Sequence, residues 1–164
     1  MLDISKYYAF ILPIIIWIFI FGVKIIIFSL KHGWNQDIKD TLAHVGHGHM
    51  PSAHTAFVLS LVTSIGYYKG MDSGAFSVAI ILAIIIIDDS IRLRMYIGDQ
   101  GMYLNRLAEH LNLGKEEFPK MKERTGHKIS EVIVGGMLGI FLTIFLAKIL
   151  EKYPLNLPDI FQFF

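Results

Sequence analysis

The sequence predicts an all-α integral membrane bundle, with about four transmembrane helices and one peripheral amphipathic helix. Three observations carry that prediction. Apolar residues make up 54% of the chain and charged residues 18%, and the apolar ones are gathered into long runs, so the expected solvent is the bilayer. Within those runs sit small and hydroxylated residues, among them Ser60, Ser64, Gly135 and Gly139, which favour close packing of helix on helix. Polar, titratable groups are concentrated in the stretch H-V-G-H-G-H-M-P-S-A-H-T, His44 to Thr55, which holds four of the seven histidines. Titratable groups at the mouth of a membrane helix read by default as a functional site.

The 164 residues suit one domain and are too few for two ordinary ones, so residues 1–164 are read as a single membrane-embedded domain. The absence of cysteine excludes disulfides, thiolate metal sites and a cysteine nucleophile. No cleavable signal peptide is expected. The first apolar run is too long and lacks a basic leader and a small-residue cleavage site.

Tyr8 to Phe28 is the first predicted span, close to the roughly 20 residues a helix needs to cross. Tyr7, Tyr8 and Trp17 suit interface or packing positions. Lys24 interrupts the run. It either snorkels to the headgroups or points inward as a cation for an anionic group. Lys31 to Met50 is a polar connection. Pro51 to Tyr68 is the second span, with Pro51 in the first helical turn, where a missing N–H costs nothing. Its apolar pattern is the most interrupted of the four. Gly74 to Ile87 opens the third span and ends in Asp88-Asp89, with Arg92 and Arg94 beyond. On a continuing α-helix Asp89 and Arg92 share a face, which suggests juxtamembrane ion pairs. Gly98 to Asn112 reads as the peripheral amphipathic helix, and Lys115 to Arg124 as a solvated segment. Thr125 to Leu150 holds the fourth span, with Gly135 and Gly139 in G-x-x-x-G register.

With four spans, the first and third connections lie on one side. Ten basic residues fall there against four on the other. The positive-inside rule then places that side in the cytoplasm, and the expected location is the cell inner membrane. The chemically interesting residues lie on that same side. His54 sits near the start of the second helix, where unpaired amides and the helix dipole favour an anion. A histidine there can hand a proton to a leaving oxygen. His127 and Glu131 are spaced i, i+4 and share a helix face. A carboxylate on one ring nitrogen leaves the other available as a nucleophile. Lys24, Lys31, Arg92 and Arg94 are available to neutralise a phosphoryl group. The set suggests phosphoryl transfer with no obligatory metal.

M-P-S-A-H-T at 50–55 resembles the P-S-G-H signature of the type 2 phosphatidic acid phosphatase and vanadium haloperoxidase superfamily. G-H-K-I-S-E-V at 126–132 resembles its later segment, where a histidine is followed four residues on by a carboxylate. With D-D-S-I-R-L-R-M-Y-I-G-D-Q-G-M-Y-L-N at 88–105, the order and spacing look most like the divergent branch of small membrane proteins, over roughly residues 13 to 146. The resemblance implies roles. His127 would be the nucleophile that forms a phosphohistidine, Glu131 would orient it, and His54 would be the general acid. Ser52 and the backbone around Ala53 would hold phosphate oxygens, and Arg94 stands where the branch carries an arginine. Lys24 and Lys31 fit a K-x6-R-P motif with Lys for Arg and His32 for Pro. The sequence departs from the broader pattern at Ala53, where Gly is usual, and at Glu131, where Asp is usual. Met121 stands where an arginine six before His127 is usual, so that Arg124 or Arg94 would have to substitute.

The implied activity is hydrolysis of a lipid phosphate monoester of the phosphatidic acid, phosphatidylglycerophosphate or isoprenoid phosphate type. The implied partners are the bilayer and that lipid. No cofactor and no nucleic acid is called for, and self-association into a homo-oligomer stays open. Two other readings remain. The chain could be a non-catalytic scaffold or lipid-phosphate-binding protein that retains the fold. Alternatively His44, His47, His49 and His54 could ligate a zinc-like ion.

Overall fold

Lipid offers a helix no hydrophobic reason to hide an apolar side chain, so small and polar residues decide which faces meet. The computed structural model follows that rule. It describes residues 7–32, 50–114, 116, 118–123 and 125–153. The described elements are helical: α1 (Tyr8–His32), α2 (Ala53–Lys69), α3 (Gly74–Asp88), a π-helical turn (Asp89–Leu93), α4 (Arg94–His110) and α5 (Ile129–Lys152).

α2 is the centre of the bundle and packs against α1, α3 and α5. Ser52, Ala56, Ser60 and Ser64 recur every four residues through it and are fully buried. The facing stripe on α5 is Gly135, Gly139, Thr143 and Ala147, also at four-residue spacing and buried. The two helices meet backbone to backbone. A Cβ on Gly135 would collide with the Ser52 carbonyl, and one on Gly139 with the Ala56 carbonyl. One turn further, the Thr143 hydroxyl lies 2.6 Å from the Gly139 carbonyl and 2.7 Å from Ser60 Oγ. With one proton to give, it donates to the carbonyl and accepts from Ser60. Ser64 Oγ donates to the Tyr8 carbonyl of α1 at 3.3 Å. Apolar packing fills the flanks. Ile16 and Ile20 of α1 lie with Ala53 and Ala56, backed by Leu138, Leu142 and Leu146 of α5. On the other side Ala79 and Ala83 of α3 meet Val58 and Val62.

Among the described residues, three helices are long and apolar enough to cross a membrane: Tyr8–Lys31, Gly74–His110 and Ile129–Lys152. The remaining predicted span is α2, which has 17 residues and is enclosed by the other helices. Its start differs from the sequence expectation. Pro51 lies outside the helix, and Ser52 is the N-cap, its Oγ accepting from the Thr55 amide. Serine is a preferred cap because its oxygen satisfies an amide that the helix cannot. The expected separate helix over 98–112 is also different. α3, the π-turn and α4 run as one helix of 37 residues, Gly74–His110. The junction holds because the Arg94 amide bonds to the Asp89 carbonyl, five residues back, and the backbone ladder never opens.

Candidate active site

Four chain segments converge at the N-terminal end of α2. The first is the α2 start itself. Ser52 is fully buried, its amide donates to the Glu131 carbonyl of α5 at 3.1 Å, and its hydroxyl lies 3.0 Å from Thr55 Oγ1. These bonds lock α2 to α5 at the level of the site. Being the first helical residues, Ala53 and His54 present amides with no acceptor inside their own helix. His54 follows directly and is half-buried.

The second segment, Thr125 to Glu131, enters α5. It lies across the Gly74–His110 helix, where Gly98 and Gly101 leave a side-chain-free strip under the carbonyls of Glu123 and Lys122. Thr125 Oγ1 donates to the Arg94 carbonyl, and the His127 amide donates to the Ser90 carbonyl at 3.1 Å. The His127 backbone is therefore held in place before its side chain makes any bond. His127 Nδ1 lies 2.9 Å from Glu131 Oε2, and both side chains are buried. The Lys128 amide donates to the same carboxylate oxygen at 3.2 Å. A carboxylate acceptor requires the proton on Nδ1, so Nε2 carries the ring's lone pair. Burial pushes the His127 imidazole below its ordinary value of 6.5, against the hydrogen bond to Glu131 that holds it up. The charges of Lys24 and Arg94 push in the same direction as burial. The neutral ring is favoured.

The His54 and His127 rings stand 6.4 Å apart, centroid to centroid. The third segment, α1, and the fourth, the π-turn with the start of α4, supply charge around that gap. Lys24 of α1 is 5% exposed, so it points inward rather than snorkelling. Its charge reaches Glu131, His54 and His127. Arg94 also acts on both histidines, and Asp89 acts on His54. Arg94 Nε lies 2.8 Å from Asp89 Oδ2, with each side chain about one-third exposed.

The structure thus gathers Ser52, Ala53, His54, His127, Glu131, Lys24 and Arg94 at one end of the bundle. It does not gather Arg92 or Lys31. Arg92 is exposed and pairs with Asp88 at 2.6 Å. Lys31 is exposed two turns beyond Lys24. The expected Asp89–Arg92 face is replaced by the pairs Asp88–Arg92 and Asp89–Arg94, because the π-turn brings residues five apart into line. Met121 is exposed and held to α4 by Asn105, whose side chain bonds its amide and its carbonyl. The cations that act on His127 come instead from Lys24 and Arg94. Arg124, His44, His47 and His49 lie outside the described residues. Sequence reasoning missed two participants, Asp89 as the partner of Arg94 and the Ser90 carbonyl as the anchor of His127. Neither carries a signal in an α-helical reading of the stretch.

A helical bundle with buried small-residue seams, three of whose described helices are long and apolar enough to cross a membrane, defines the class as an integral membrane protein. The family model described as "Divergent PAP2 family" matches residues 6–142, and the chain belongs to that family. It is 37% identical over 112 residues to the uncharacterized membrane protein YuiD of Bacillus subtilis (strain 168), covering 61% of this chain and 71% of the relative. No solved structure matches it.

Proposed function

We propose that the protein hydrolyses a lipid phosphate monoester through a phosphohistidine intermediate. The observation that carries this is the buried His127–Glu131 pair at 2.9 Å, facing a second histidine across a gap lined with two cations. Structural ion pairs in a bilayer do not need a second histidine opposite them.

In the first step His127 Nε2 attacks phosphorus, forming a P–N bond as the bond to the leaving alcohol oxygen breaks. His54 gives that oxygen a proton. Glu131 keeps the Nδ1 proton in place and stabilises the ring as it becomes cationic. Arg94 and Lys24 take up the charge on the non-bridging oxygens together with the first amides of α2. In the second step water attacks phosphorus, His54 accepts its proton, and the P–N bond breaks to return neutral His127 and phosphate.

The lipid character of the substrate follows from depth. α1 continues for eight residues past Lys24 to His32, about 12 Å along the axis. Ile26, Ile27 and Leu30 on that stretch are exposed apolar residues. An apolar wall rising past the site favours a phosphate that arrives on a hydrocarbon chain within the membrane. Phosphatidic acid, phosphatidylglycerophosphate and isoprenoid phosphates all present that chemistry. The basic residues flanking the site favour a cytoplasmic face of the inner membrane.

The test is phosphate release by purified, detergent-solubilised protein from a panel of those lipids, with a chelator present. The wild type is expected to release phosphate, and His54→Ala and His127→Ala to lose it. Folded wild type inert toward the whole panel would contradict the proposal and leave the non-catalytic reading in front.

A further inference from the structure

The helix that crosses the site carries two acid–arginine pairs whose acids are consecutive residues, and they differ in what they face. Asp88 and Arg92 are four apart, in ordinary α-helical register, and lie out in solvent, 50% and 68% exposed. Asp89 and Arg94 are five apart and only 32% and 36% exposed. In an α-helix a five-residue step leaves two side chains about 140° apart around the axis, and they could not pair. The π-turn Asp89–Leu93 removes that offset. The same turn presents the Ser90 carbonyl to the His127 amide. One local irregularity therefore sets the arginine and the backbone of His127 together. π-turns of this kind occur preferentially at functional sites.

We propose that Asp89 is a positioning residue: it holds the Arg94 guanidinium in line with the gap between His54 and His127, ready for a phosphoryl group. The Nε–Oδ2 bond of 2.8 Å occupies one edge of the guanidinium. The terminal nitrogens stay available for bidentate contact with phosphate. Without Asp89 the arginine side chain is free among several rotamers, and ordering it falls to the incoming phosphate. The inference rests on the function proposed above for the identity of the ligand, but the pairing can be judged on phosphate binding alone.

The experiment is a double-mutant cycle on Asp89 and Arg94. It is read in detergent by calorimetric binding of inorganic phosphate and by turnover of phosphatidic acid in mixed micelles. Arg94→Ala and Asp89→Ala are each expected to weaken phosphate binding about tenfold, with the double variant no weaker than Arg94→Ala. Asp89→Asn keeps an oxygen for Nε, so it should recover most of the binding. Asp88→Ala breaks the neighbouring pair and should leave both readouts unchanged. Asp89→Ala binding phosphate as well as wild type, or losses at 89 and 94 that simply add, would overturn the proposal. If the wild type binds phosphate without turnover, the hydrolytic reading fails while the cycle still decides this one. If it turns over and the losses add, only this one fails. A wild type that neither binds nor turns over ends both.

Discussion

α2 and α3 are neighbours of similar length, 17 and 15 residues, and they invert the rule of a water-soluble core. α3 is a nearly unbroken apolar run, yet only Ala79 and Ala83 are buried, and Ile81, Ile84 and Ile85 face outward. α2 is the less apolar helix, and its serines, its alanines and Thr55 are buried. In a bilayer the greasiest surface is the one already at home in its solvent. Close packing and hydrogen bonding then select small and hydroxylated faces for the interior. The helix that looks weakest as a span is the one around which the others assemble, and its N-terminal end carries the candidate site.

That contrast orders the expected effects. The largest structural one comes from filling the seam: Gly139→Leu puts a side chain where the Ala56 carbonyl lies. Overpacking of that kind should cost about 3 kcal/mol or more, read as loss of a monodisperse peak in size-exclusion chromatography. A normal elution profile would show that the α2–α5 contact is dispensable. Next is Glu131→Gln, which should lower kcat about a hundredfold while leaving the fold intact by circular dichroism. Glu131 is the group that holds the His127 imidazole up against burial, so the acid limb of the rate profile should also move to lower pH.

The wild-type profile sharpens the same point. His127 must be neutral to attack, and burial depresses its ionisation below 6.5. The acid limb of the profile should therefore lie below that value, activity falling as pH drops through the depressed one. An acid limb above 6.5 would contradict the assignment. Thr143→Val removes the bond to Ser60 within the seam and should cost about 0.6 kcal/mol, the mean for such bonds between membrane helices, measured by thermal unfolding in detergent. Ile84→Ala on the outward face of α3 is the smallest, within about 0.5 kcal/mol. An Ile84 effect exceeding that of Thr143 would undo the contrast between the two helices.

The sequence revealed what depends on local spacing. The i, i+4 pair of His127 and Glu131 and the G-x-x-x-G face at Gly135 and Gly139 keep their register in a regular helix, whereas the start of α2 falls at the Ser52 cap and not at Pro51. What it hid depends on irregularity or on the third dimension. The π-turn moved the partner of Asp89 from Arg92 to Arg94, and no pattern of 3.6 residues per turn foretells an extra residue. Gly98 to Asn112 reads as amphipathic and separate, but Gly98, Gly101 and Asn105 pack against Met121, Lys122, Glu123 and Thr125, which sequence alone does not bring there. Lys24 had two readings on sequence, and only its burial against the α2–α5 seam decides between them.

The most direct test is to trap the covalent intermediate. Protein mixed briefly with radiolabelled phosphatidic acid and quenched in base should carry an acid-labile, base-stable phosphate, which peptide mapping places on His127. His127→Ala should carry none. Steady release of phosphate with no label at His127, surviving in His127→Ala, would contradict the account.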